Sequence, residues 1–499
     1  MSWFYSAANE TLGVSMKRRY IFLITLCLSV GAALGTPALP ETTVPRTVLK
    51  TLNCKLDIRI DYEKEKLFGE CRLTLVNGSR EPLGKVPLIL YRLMKVIAVK
   101  DENGAPLPYG QRILAFEDWD KYQANIIDVA LKVPLPAGEK KTIDILYEGY
   151  LAGLTETGMG YVKDHIDKDF TIIRPDCLAY PMIGYPSSTD SRALGMQAFD
   201  YEANVTVPDP LVVANGGRAT GTVTKDGLTT YTYRNILPAW RIDLAVAKYG
   251  VIEDRENGFK VFHFPQDLAG AKSVLQALRE STALFSGWFG PAQGAAVYSV
   301  IEIPEGFGSQ ADVTSALQTR TAFQDPDQLV QLYHEVSHRW NVRSLDPLPP
   351  RFESEGLAML LQNLAKEKLE KKPGSVDKGA ERLRDYFRRE CQEDIKAKTT
   401  AMIDYGKEKL TDVSYSKGML FFYVLYKMAG EDTFLKAMGS FYQTYKDKGA
   451  TAAEFVSYLK KNIKLPLDTF FKDWITSTAS SDDLLGPLSL DDIVRKYKE

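Results

Sequence analysis

The 499-residue sequence lacks an excess of charge of either sign, with 62 Lys and Arg against 64 Asp and Glu, a formal net charge of -2. Without a basic footprint or an acidic tail, nucleic acid is excluded as an expected partner. Cysteine is scarce at five residues, too few for a disulfide scaffold in a chain of this length, and histidine is scarcer still at four. No internal repeat or low-complexity linker is present. Long hydrophobic runs are missing too, with one exception near the N-terminus. Ile21 to Leu34 follows the cluster Lys17, Arg18 and Arg19 and leaves through Ala33-Leu34-Gly35. At about 15 residues it falls short of the roughly 20 of a spanning helix. Residues 1–35 therefore read as a secretory signal, with Met16 as an alternative start, and export to a periplasmic or secreted location is expected. A membrane is a partner only if that segment stays uncleaved.

The rest has the composition of a folded chain, 45% hydrophobic and 25% charged. Leu52, Cys54, Leu56, Ile58 and Ile60 alternate with polar residues, as do Cys71, Leu73 and Leu75, and the pattern recurs over 142–147 and 201–207. Period two marks half-buried antiparallel strands, so residues 45–255 read as an all-β domain. From Leu268 the period becomes helical, and residues 256–490 read as a second, mainly α domain, with the boundary between about 250 and 265. Removing the signal leaves Cys54, Cys71, Cys177 and Cys391. A turn centred on 63–66 sets Cys54 opposite Leu75 rather than Cys71, so a bridge between those two is not the expected arrangement. Buried free thiols remain open for all four.

Three helices organise the second domain. Asp325-Pro326-Asp327 is a start signal, with a cap, a proline suited to the first turn and an acid suited to the helix dipole. Leu329, Leu332, Tyr333, Val336 and Trp340 follow at helical spacing. A second helix starts near Glu355 and stops at Pro373-Gly374, and a third runs from about Tyr415 to Met428, closed by Gly430.

The first helix carries His334-Glu335-Val336-Ser337-His338. Residues four apart project from one helix face, so both imidazoles can reach one metal, and Glu335 can face the attacking water as general base. Chance produces such a pattern in a chain of this composition on the order of a few times in a thousand. A catalytic zinc takes three protein ligands and leaves one position open. No histidine follows His338, so the third ligand must come from elsewhere. Glu353 and Glu355 lie 15 and 17 residues beyond His338, after a loop containing Pro347, Pro349 and Pro350. Glu355, followed by Gly356 and an apolar run, is the favoured ligand and Glu353 the alternative.

The succession HEVSHRWN, Ser354-Glu355-Gly356-Leu357-Ala358 and Ser414-Tyr415-Ser416-Lys417-Gly418 resembles the zinc aminopeptidases of the aminopeptidase N and leukotriene hydrolase type, which are gluzincins. The resemblance implies an N-terminal saddle-like β domain followed by a thermolysin-like catalytic domain. It also implies one Zn2+ per chain on His334, His338 and Glu355, Glu335 as general base, Tyr415 as donor to the oxyanion, and a peptide substrate. HRWN with Val342-Arg343 resembles the glycyl aminopeptidases of the same clan as well.

One departure bears on specificity. Where the family carries Gly-x-Met-Glu-Asn, whose glutamate grips the substrate's free amine, this chain reads Gly308-Ser309-Gln310-Ala311-Asp312. The backbone of Gly308, Ser309 and Gln310 is expected to meet an extended substrate as an edge strand, and Asp312 or Glu305 is the candidate substitute for the missing glutamate. An endopeptidase and a non-catalytic peptide-binding protein are the rival readings.

Overall fold

The computed structural model describes residues 48–194, 197–294 and 297–498. The segment read as a signal lies outside them. Among the described residues no helix is long and apolar enough to cross a membrane.

The alternation of the first segment becomes strand β1 (Leu49–Asp61), with Cys54, Leu56, Ile58 and Ile60 buried between exposed or half-buried polar residues. It forms a hairpin with β2 (Lys66–Asn77) and pairs in parallel with β3 (Asp200–Pro208), at the centre of a seven-stranded sheet. A four-stranded sheet, which includes Leu83–Tyr91 and Trp119–Leu135, and a three-stranded sheet complete the β part. Leu56, Leu73, Ile145 and Val205 lie in its core.

The hairpin turns one residue earlier than the pattern suggested. Asp61 pairs with Lys66, so Cys54 faces Leu73 rather than Leu75, and Cys71 faces Leu56. The two thiols are buried and free, with their sulfurs 3.8 Å apart.

The second part opens on a five-stranded sheet made of β4 (Gly250–Asp254), β5 (Phe259–His263), β6 (Tyr298–Ile303), β7 (Gln310–Ala311) and β8 (Ser315–Thr319), in the order β4-β5-β6-β8-β7. The sheet begins at Gly250, at the early end of the 250–265 range read from the sequence, because β4 is the hairpin partner of β5. The central pairings β5–β6 and β6–β8 are parallel, and β7 is left as an edge strand.

Helices α1 (Leu268–Phe289), α2 (Leu329–Ser337), α3 (Leu357–Leu369), α4 (Ser375–Glu393), α5 (Val413–Ala429) and α6 (Glu431–Tyr445) pack around this sheet and each other. Helix α5 is buried over most of its length, as befits a helix apolar on nearly every face. Phe421 on α5 sits among Phe352, Phe470 and Trp474. Truncating one such buried aromatic costs on the order of 3–5 kcal/mol, so this cluster strongly anchors α5. The consequence for function is a rigid floor: the elements bearing the motif residues converge on one packed core.

Candidate metal centre

Helix α2 starts as its capping signal requires. The Asp325 carboxylate accepts from Asp327 N, and a 3-10 turn at Pro326–Gln328 leads into the α-helix. The α-helix ends at Ser337 and the chain goes on as a 3-10 turn, His338–Trp340, rather than as α-helix through Trp340. The two histidines still meet: their ring centroids are 4.8 Å apart with the planes nearly perpendicular.

Glu355 arrives from a different direction. The proline-rich loop ends at Arg351, which has a left-handed backbone with φ +68°, and the next five residues form a single wide π-turn, Phe352–Gly356, ahead of α3. Such wide turns often mark functional positions. This one brings Glu355 Oε2 to 3.4 Å from His334 Nε2 and 3.5 Å from His338 Nε2. Glu353, the alternative ligand, stands outside the three-residue cluster that could hold an ion.

The donor set fits zinc. A tetrahedral zinc with bonds of about 2.0–2.2 Å has ligand-to-ligand edges of roughly 3.3–3.6 Å, and two of the three edges here match that range. Glu355 is 3% exposed and its Oε2 has no hydrogen bond of ordinary geometry, so a buried acceptor oxygen is left facing two imidazole nitrogens. Both imidazoles are also held from behind. His334 Nδ1 lies 3.0 Å from Gln362 Oε1 and His338 Nδ1 lies 2.7 Å from Asn341 Nδ2. A metal on Nε2 requires the proton on Nδ1, so Gln362 accepts it through Oε1, whereas Asn341 would do so only with its amide turned to present oxygen in place of nitrogen. Neither partner was read from the sequence. Gln362 is two helical turns beyond Glu355, which is the signal that could have found it.

Glu335 is buried beside His334. Burial pushes its carboxyl up to about 7, with His334 opposing the shift and Glu355 adding to it. Tyr415, in the first turn of α5, stacks its ring on His334 with centroids 6.0 Å apart. Its phenol is pushed well up, first by burial and then by the neighbouring Glu355 charge. Lys417, two residues on, is fully buried and donates to Ser481 Oγ at 2.8 Å, so it belongs to the core beneath the site.

The motif glycines have a packing role. A Cβ on Gly356 would lie 2.5 Å from the Gly418 carbonyl carbon and 2.7 Å from its Cα, so the π-turn and α5 touch backbone to backbone. Glycine at both places lets Glu355 and Tyr415 share one site. Gly356→Ala is expected to destabilise the protein by about 1–3 kcal/mol, the usual cost of overpacking a tight contact. Denaturant unfolding of the variant would show it, and an unchanged midpoint would count against this account of the two motifs.

The segment expected to meet substrate is split in its roles. Gln310 and Ala311 form edge strand β7, pairing with Leu317 and Ala316 of β8 and leaving the other edge open. Gly308 precedes it with φ +73°, and Ser309 Oγ accepts from Thr319 N and Gln318 Nε2, both at 3.1 Å. The Gln310 side chain is committed elsewhere. Its oxygen accepts from Arg241 at 2.7 Å and its nitrogen donates to Asp176 at 2.8 Å, tying the strand to the β part. Of the two substitute acids, Glu305 is exposed and bound to the Thr321 hydroxyl. Asp312 is buried with one carboxylate oxygen unpartnered, and burial pushes it up to about 7.

Residues 314–474, which span the whole cluster, match the Peptidase family M1 domain. Those residues form a peptidase domain of the family M1 type. Solved structures agree with this M1 fold, a β domain followed by a mainly helical one. An M1 zinc metallopeptidase mutant from Deinococcus radiodurans, bound to Tyr-Ser-Ala substrate, has 18% identity and a TM-score of 0.61, with 87% of this chain and 95% of that chain covered. The M1 zinc metallopeptidase from the same organism gives 18% and 0.58, with 89% and 94% covered. A two-domain M1 zinc metallopeptidase mutant bound to L-tryptophan gives 20% and 0.61, with 87% and 95% covered. No curated protein sequence matches the chain.

Proposed function

We propose that the protein is an exported zinc aminopeptidase that removes residues from the amino terminus of peptides. The observation that carries the reading is the meeting of His334, His338 and Glu355, with Glu355 Oε2 3.4 and 3.5 Å from the two imidazole nitrogens, beside the buried Glu335 and within residues that match an M1 domain. His334, His338 and Glu355 would hold the zinc, which would supply polarisation of the scissile carbonyl and a water made nucleophilic near neutral pH. Glu335 takes the proton of the attacking water and passes it to the leaving amine. The Tyr415 hydroxyl donates to the carbonyl oxygen as charge develops on it. The open edge of β7 pairs with the extended peptide backbone.

Recognition of the free amine falls to Asp312, the buried acid with an unpartnered oxygen, rather than to the Thr321-bound Glu305. Export follows from the Lys17–Arg19 cluster and the short apolar run after it. One observation favours an endopeptidase instead, because Ala311 stands where the related enzymes carry the amine-gripping glutamate. The D. radiodurans structure with Tyr-Ser-Ala bound supports a short peptide as the substrate class.

A peptide series with free or acetylated amino termini, hydrolysed by the zinc-loaded protein, tests the reading. Cleavage confined to the free peptides is the expected result. Cleavage of both sets would make the protein an endopeptidase, and cleavage of neither would leave a peptide-binding protein on a peptidase fold.

A further inference from the structure

Arg351 makes two separate attachments to the same ligand residue. Its carbonyl oxygen accepts from Glu355 N at 2.9 Å, and also from Ser354 N at 3.3 Å and Ser354 Oγ at 3.1 Å, so it anchors the π-turn that delivers Glu355. Its guanidinium, through Nη2, grips Glu355 Oε1. A carboxylate is planar, so fixing one oxygen fixes the direction of the other. With Oε1 on Arg351, Oε2 is the oxygen left pointing at His334 and His338.

The backbone adds an independent observation. Arg351 is not a glycine, yet it holds φ +68°, a conformation that L residues with side chains adopt at a cost and that persists where surrounding structure enforces it. Glycine would suit that backbone better. An arginine placed there therefore implies that its side chain matters. The partner is also unusual, since Glu355 is almost fully buried while the arginine side chain keeps 25% of its surface exposed. A buried carboxylate is costly unless a cationic partner compensates it.

We infer that Arg351 is a positioning residue for the metal. It neutralises Glu355 in the metal-free protein, confines its coordination to Oε2, and so keeps the three-ligand site preformed. The inference rests on the zinc reading above and goes beyond it in assigning the residue that prepares the third ligand.

The test is zinc affinity, measured on the metal-free chain by competition with a chromogenic chelator, for the unmutated protein and for Arg351→Gly, Arg351→Met and Arg351→Lys. Loss of a group that orients a ligand typically weakens metal binding about 10- to 100-fold. That loss is expected for Arg351→Gly and Arg351→Met, with partial recovery in Arg351→Lys, which keeps the charge without the planar fork. Arg351→Gly carries the discrimination, because it relaxes the left-handed backbone while deleting the guanidinium. Thermal melting of the metal-free variants should show it at least as stable as Arg351→Met, although it binds zinc no better. Zinc held by Arg351→Gly within about threefold of the unmutated chain would overturn the assignment and leave Arg351 a loop residue only. Absence of zinc binding by the unmutated chain would overturn both the assignment and the reading beneath it.

Discussion

Glu335→Gln is expected to keep zinc and to lose peptide hydrolysis by roughly 100- to 10,000-fold, the range over which a positioned general base contributes. The substitution is nearly isosteric and leaves His334, His338 and Glu355 untouched, so elemental analysis should return the same metal content while turnover collapses. Folding should not suffer. Burial holds the Glu335 carboxyl at about 7 against an ordinary 4.5, so between those values the folded metal-free protein binds more protons than the unfolded chain. The stability of the metal-free protein therefore falls as pH rises through that window. Glutamine removes the ionisable group, so the metal-free variant should gain stability over its parent above about pH 7 and show little gain below about pH 4.5. Normal hydrolysis by Glu335→Gln would remove the base from the mechanism, whatever the metal content.

The parts of this site that were legible in the sequence are those fixed by local spacing. Two histidines four apart on a helix must share a face, and an acid after a proline-rich loop can return to them, so His334, His338 and Glu355 could be read without coordinates. The choice between Glu355 and Glu353 was harder. In a regular helix two residues apart point in nearly opposite directions, but the turn there is a wide π-turn whose hydrogen bonds to the Arg351 carbonyl no periodicity announces. Gln362, Asn341 and Arg351 were missed because their roles come from packing between elements.

The β part shows the same limit. A register error of two residues leaves every side chain on its own face, so alternation alone could not tell Leu75 from Leu73 as the neighbour of Cys54. The position of β4 was likewise invisible, since a strand's pattern does not say which sheet it joins. Gln310 is the clearest case at the site. Its place on an edge strand was readable, whereas its bonds to Arg241 and Asp176 depend on two residues far away in the chain.

Tyr415→Phe separates transition-state stabilisation from metal binding. The variant keeps the ring that stacks on His334 and loses only the hydroxyl. Burial and the adjacent Glu355 charge hold the phenol protonated at any working pH, so it is a standing donor. Removing one such donor typically lowers kcat by about 100- to 1000-fold. Because the bond strengthens only as negative charge develops on the carbonyl oxygen, kcat and kcat/KM should fall together while KM stays near its original value. The hydroxyl also approaches the Glu355 carboxylate, which supplies a competing account: Tyr415 could act by holding the ligand. Zinc affinity decides between them. Retained zinc with collapsed kcat assigns Tyr415 to the oxyanion, whereas weakened zinc with activity restored by excess metal would place it, with Arg351, among the residues that hold Glu355 toward the histidines.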